Sequence, residues 1–361
     1  MRHQTHAGLL FLLPTLFLLA PVRMAGRPQS NSTYGPLPVF ELHSGFWINL
    51  HHTLYHEARP RTASASSDKS GKISGKEPKN TPEVKLTLTA AEQKVWGDAV
   101  AYYAANYAGK DLLFSTELIQ LKDQLGDFED CDELSGRRRK FCDAGLPPKL
   151  TQILEAAAPV YRAHLWPEHD RANRRWIQRV APLVREQGVG LSERLADIYQ
   201  TRWPREKIRV EVAGYANWNG AYTTVDPLRV TISSLDSRNQ GAEALEVLFH
   251  EASHGIAEPV QAAIIRECHQ RDKAIPRDLW HALVFYTTGE VLRPVLGSSG
   301  ATAGDQDGNV PGGGYTPYAL REGLYQRGWN DYFKLLQRFW QPYLDGRASF
   351  DDAIARMVSS L

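Results

Sequence analysis

Between residues 208 and 256 the spacing of apolar residues changes once, from a period of two to a period of about 3.6, and this change constrains the fold more than any other feature. Ile208, Val210 and Val212 alternate with Lys207, Arg209 and Glu211. Asn219-Gly220 is a tight-turn dipeptide, Ala221 to Val225 reads as a return strand, and Asp226-Pro227 marks a second turn. Leu228, Val230 and Ile232 then alternate again. After a polar loop, Asp236 to Gly241, rich in helix-capping residues, the pattern switches. Leu245, Leu248, Phe249, Ala252 and Ile256 fall at helical spacing. Gly255 and Pro259 close that helix. The pattern predicts a small antiparallel sheet leading into an amphipathic helix, within an α+β, mainly helical fold.

The helix carries His250-Glu251-Ala252-Ser253-His254, an HExxH sequence. Positions i and i+4 share a helix face, so both imidazoles can reach one metal ion. Glu251 sits one step round, badly placed as a ligand but well placed as a base toward a metal-activated water. A surface helix with two solvated histidines would show the same letters; the apolar stripe beside His250 and His254 argues for a cleft.

Sheet, HExxH helix and further helices in that order resemble the zincin metallopeptidases. The metzincin continuation would need Gly where Ala257 stands and His where Val260 stands, which excludes that group. The chain is more similar to the gluzincins, which take a glutamate from a later helix. The resemblance covers residues 207–293 and implies Zn2+ held by His250, His254 and Glu290. It also implies Glu251 as general base on a zinc-bound water, but no particular substrate; a peptide or protein is the expected partner. Glu258 and His281 compete with Glu290. Pro259 disfavours helical backbone at Glu258. His281 lies nine positions before Glu290, so the two point to opposite faces of one helix and only one can see the metal. A carboxylate would leave the site at a net charge of +1, and Thr287 and Gly289 leave room beside it, which favours Glu290. By analogy the oxyanion donor would be His281, Tyr315 or Tyr325, which the sequence does not rank.

At 361 residues, 42% hydrophobic and 23% charged, the chain is long enough for a large core. A net charge of +1 gives no argument for nucleic acid. Arg2, His3 and His6 precede the apolar run Leu9 to Ala20, which predicts a signal peptide over residues 1–25. The cleavage site is imperfect, so an uncleaved anchor is the alternative; the expected location is secreted or periplasmic, without stable membrane insertion after cleavage. The stretches around Trp47 and Trp166 resemble uncharacterised exported bacterial proteins, a similarity that implies secretion and no activity. In an oxidising compartment Cys131 and Cys142 would form a local disulfide and leave Cys268 free.

The expected organisation continues with an N-terminal segment, 26–60, packed on the core, and a disordered loop, 61–82, rich in Ser, Lys and Gly. A helical subdomain, 83–205, and a zincin-like catalytic subdomain, 206–361, complete it. His43, His51, His52 and His56 form a second histidine group, read as core-packed because it lacks a third ligand and a base. Asp305 to Asn309 looks faintly like a calcium loop but lacks the closing glutamate. The functional expectation is an exported zinc metallopeptidase-like hydrolase. The rival is a non-enzymatic exported protein with a structural zinc, closed by His281 or Glu258. An aromatic-rich binding protein ranks last, since most of the 9 Trp and 15 Tyr lie at helical core spacing.

Overall fold

A computed structural model describes residues 39–59, 87–129, 145–298 and 314–361. The signal segment, the 61–82 loop, the Cys131–Cys142 pair and the Asp305 loop lie outside the described residues. All described residues belong to one compact unit. None of the described helices is long and apolar enough to cross a membrane.

The fold is α+β and mainly helical, with one four-stranded sheet. Strand β1 (Phe40–His43) leads to helices α1 (Phe46–Ala58), α2 (Ala90–Asn106), α3 (Thr116–Glu129), α4 (Pro148–His164) and α5 (Trp166–Ile198). Strands β2 (Ile208–Ala213), β3 (Ala221–Val225) and β4 (Leu228–Ser233) follow. Then come α6 (Gly241–Ser253), α7 (Glu258–Gln270) and α8 (Leu279–Ser298). The chain closes with α9 (Tyr318–Arg321), α10 (Asn330–Leu335), α11 (Gln341–Leu344) and α12 (Phe350–Ser359). Two π-helical turns, Tyr325–Trp329 and Leu336–Trp340, lie among them.

The sheet is mixed, and this corrects the antiparallel expectation. Its order is β1-β2-β4-β3; β2 pairs in parallel with both β1 and β4, and only β3 and β4 are antiparallel. The sequence pattern identified β2, β3 and β4 but not their partners, and it did not identify β1. Asn219-Gly220 does form a turn, with the Gly220 N–H donating to the Asn217 carbonyl at 3.0 Å. Yet β2 and β3 are not neighbours, because β4 inserts between them. The hairpin is closed instead by Asp226-Pro227, which places Val225 opposite Leu228. Gly220 has φ +84°, and a Cβ there would lie 2.4 Å from Asp236 Oδ2. That close approach seats the loop before α6: Asn239 Nδ2 donates to the Gly220 carbonyl at 2.8 Å, and Trp176 Nε1 of α5 donates to the Asn239 carbonyl at 2.6 Å.

Two hydrophobic clusters meet at the sheet. One joins α1 to α4 with Tyr215 and Tyr222; the other joins the sheet to α5, α6, α7, α8 and the C-terminal helices. The change of core falls near the start of α5, since Trp176 onward packs with the second cluster. Period-two alternation splits β3 between the two sides. Thr223 meets α6, whereas Tyr222 and Thr224 meet His52 of α1 and Lys122 of α3. Every residue of α6 from Ala242 to Ser253 is buried except Glu243. A helix covered on all sides has no solvent face on which to leave idle polar groups, so Glu246, His250 and Glu251 demand partners or a function.

Candidate metal centre

His250, His254 and His281 converge on one point; one ring nitrogen from each lies within 4.8 Å of the others. The helical i, i+4 relation brings His250 and His254 together. α6 ends at Ser253, but His254 keeps helical angles, and its N–H bonds the Glu251 carbonyl at 3.2 Å, so the second imidazole stays on the face of the first. α8 supplies the third ring from its first turn. The His250 Nε2 atom lies 3.3 Å from His254 Nε2 and 3.4 Å from His281 Nε2. Nitrogens about 2.0–2.1 Å from one tetrahedral ion are separated by about 3.3–3.4 Å, so the two measured separations fit a single metal ion.

The electrostatics agree. Burial, reinforced by the neighbouring histidines, holds His250 and His281 well below the usual imidazole range. Burial alone holds His254 down at about 4. All three rings are therefore neutral near pH 7, the state in which imidazole binds metal. Three neutral nitrogens suit zinc, copper, iron or nickel better than calcium or magnesium.

Glu290 is not part of this group. It sits nine positions beyond His281 on α8, on the opposite face, and its Oε1 accepts from Arg293 Nη2 at 2.6 Å. It lines a shallow cleft with Phe285, Tyr286, Pro317, Leu320, Tyr325 and Phe333. The helical-face argument holds, and the residue it turns to the His250–His254 pair is His281. The other expected donors also lie elsewhere. The Tyr315 hydroxyl donates to Glu246 at 2.6 Å, and Tyr325 stacks on Phe333 with ring centres 4.5 Å apart. Glu258 opens α7 and stands outside the group.

Glu251 is buried beside β3. Its Oε2 accepts from the Thr223 hydroxyl at 2.7 Å. Burial pushes its carboxyl up to about 7, against the lowering effect of that hydrogen bond. Glu246, one turn before His250, is also buried; its carboxylate accepts from the Tyr315 hydroxyl and from the Tyr318 N–H at 3.0 and 2.9 Å. Aromatic rings surround the imidazoles. Phe285 stacks on His250 at 3.6 Å, Trp280 stacks on His281 at 5.3 Å, and Trp329 meets His281 edge-on at 5.4 Å.

Sequence reasoning passed over the side chains of Thr223, Glu246 and Phe285 as contributors. Only Phe285 left a trace, being four positions after His281 and so on its face. In the second histidine group His51 and His52 are core-packed, while His56 and His43 are half-buried, the latter 3.7 Å from Glu41. His51 Nδ1 bonds the Tyr103 hydroxyl at 2.9 Å, His52 lies between the Ile48 carbonyl and the Tyr222 hydroxyl, and His56 stacks on Tyr215. Cys268 is a buried free thiol within α7.

Comparisons with protein-family models, with curated proteins and with solved structures found no match.

Proposed function

We propose that this chain is a zinc-dependent hydrolase, of metallopeptidase type, with His250, His254 and His281 as ligands and Glu251 as general base. The observation that carries the reading is the convergence of the Nε2 atoms of three neutral imidazoles, with the buried acid Glu251 following His250 directly in α6. A zinc ion in such a set supplies the Lewis acidity that makes water a nucleophile near neutral pH. Glu251 takes the proton of the attacking water and passes it to the leaving group. Thr223 holds the Glu251 carboxylate against β3 while it does so. The ligand set differs from the gluzincin pattern in its third member, so the likeness to that group is confined to the HExxH helix. A zinc ion held by these three histidines would need a further ligand, and no fourth donor joins the group among the described residues, which favours a catalytic over a closed structural site. A peptide or protein substrate and an exported location remain parts of the proposal.

The test is metal content followed by separation of binding from chemistry. Purified chain should hold one zinc, and Glu251→Gln should keep it while hydrolysis of a mixed peptide library falls by about 10²-fold or more. A carefully prepared wild-type chain without metal would remove the reading.

A further inference from the structure

Metal-ligating histidines usually donate their second ring N–H to a carboxylate, a carbonyl or water, which fixes the ring. At His250 no described protein group fills that role. Its Nδ1 atom is buried and has no hydrogen-bond partner among the described residues. What touches the ring instead is Phe285, stacked at 3.6 Å with an interplanar angle of 20°. Behind Phe285 lies Tyr318, nearly parallel at 10° with ring centres 6.0 Å apart. Tyr318 is itself fixed at its backbone, since its N–H donates to both carboxylate oxygens of Glu246. Glu246 stands four residues before His250 on α6. The stack therefore starts and ends on the same helix: α6 grips Tyr318 through Glu246, Tyr318 backs Phe285 of α8, and Phe285 lies on His250.

We propose that Phe285 and Glu246 are positioning residues that hold the His250 ring for metal binding by a closed aromatic stack, in place of a hydrogen bond to Nδ1. The proposal rests on the metal-centre reading and adds to it a mechanism of ligand orientation. Stacked rings constrain the tilt of an imidazole through its whole face, so the donor nitrogen keeps its aim without a polar partner. The Glu246 carboxylate does not touch the metal group; it acts through Tyr318.

The experiment compares zinc dissociation constants, by chelator competition, for wild type and two variant pairs of the full chain. Phe285→Leu keeps apolar bulk and removes the ring, and Phe285→Tyr keeps the ring. Glu246→Ala removes the acceptor, and Glu246→Gln keeps an acceptor for the Tyr318 N–H and a partner for the Tyr315 hydroxyl. The Leu and Ala variants should bind zinc about 10- to 100-fold more weakly. The visible spectrum of their Co2+ forms should shift, whereas the Tyr and Gln variants match wild type. A Leu variant with wild-type affinity and an unchanged Co2+ spectrum overturns the proposal. Where Phe285→Leu gives no folded chain, the Glu246 pair decides it, and equal affinities for Ala and Gln overturn it. A wild-type chain that binds neither zinc nor Co2+ overturns the stack and the metal centre together.

Discussion

The Thr223 hydroxyl lies 2.7 Å from a carboxylate oxygen of Glu251 and 2.8 Å from the same residue's carbonyl oxygen. A hydroxyl has one proton to give, and the carboxylate, when ionised, is the stronger acceptor. The edge strand of the sheet thus fixes the acid of the HExxH helix from outside that helix.

Replacing Thr223 with Val keeps the shape and removes the donor. Leaving the buried acceptor unpaired should cost about 1–3 kcal/mol of unfolding free energy, and Thr223→Ser should recover most of it. Urea unfolding of the variants checks this, with zinc content unchanged throughout. A Val variant as stable as wild type would show that the bond carries no weight.

The ligand set makes a sharper statement. His281→Ala should lower zinc affinity strongly, while Glu290→Ala leaves it close to wild type, because Glu290 is occupied by Arg293. Metal titration of the two variants reads this directly, and the opposite order would restore the carboxylate as third ligand.

That order reverses what the sequence favoured, and the reason is specific. The period of 3.6 placed His250 and His254 on one face and His281 opposite Glu290, and both relations hold. Choosing between the two faces of α8 required knowing which one meets α6. Tertiary packing decides that: Phe285, one turn after His281 and on its face, stacks on His250 of α6, and Gly289 lies against Glu246 of the same helix. Strands were legible for the same reason as the helix, but their partners were not, since alternation is blind to which neighbour satisfies the backbone. Thr223 read as a strand residue with good β propensity; only the placement of β3 beside α6 made it a partner of Glu251.

Gly289 tests how tightly the segment before α9 is seated. A Cβ there would meet Pro317 Cβ at 2.6 Å and Glu246 Oε1 at 3.2 Å. In a helix interior Ala would gain about 1 kcal/mol over Gly, whereas overpacking of this kind costs about 1–3 kcal/mol. Gly289→Ala should therefore lower the thermal midpoint in spite of its better helix propensity. A raised midpoint would mean that Pro317 yields freely.

The pH dependence of stability should centre on the buried histidines of α1. His52 is held down at about 4, chiefly by burial, against an ordinary value of 6.5. An unfolded histidine takes up its proton near the higher value and the folded one only near the lower. Its contribution is therefore complete above pH 6.5 and is lost as pH falls toward 4. At about 1.4 kcal/mol per pKa unit the loss approaches ~3 kcal/mol for this group. Unfolding free energies across that range should fall less steeply for His52→Gln, by up to about one proton in slope. An unchanged slope would assign the acid sensitivity to the other histidines that burial lowers, His51, His169, His250, His254 and His281.

The enclosure of α6 has a consequence for time as well as for structure. Amide protons of a surface helix trade with solvent through local fraying, but a helix covered on every side can do so only when its surroundings part. Deuterium uptake along residues 245–253 should then track opening of the core as a unit, and lag well behind uptake in α7, whose outer face is exposed. Two of the three clustered histidines are set in or at the end of this buried stretch, so their imidazoles should stay together for as long as the fold itself lasts.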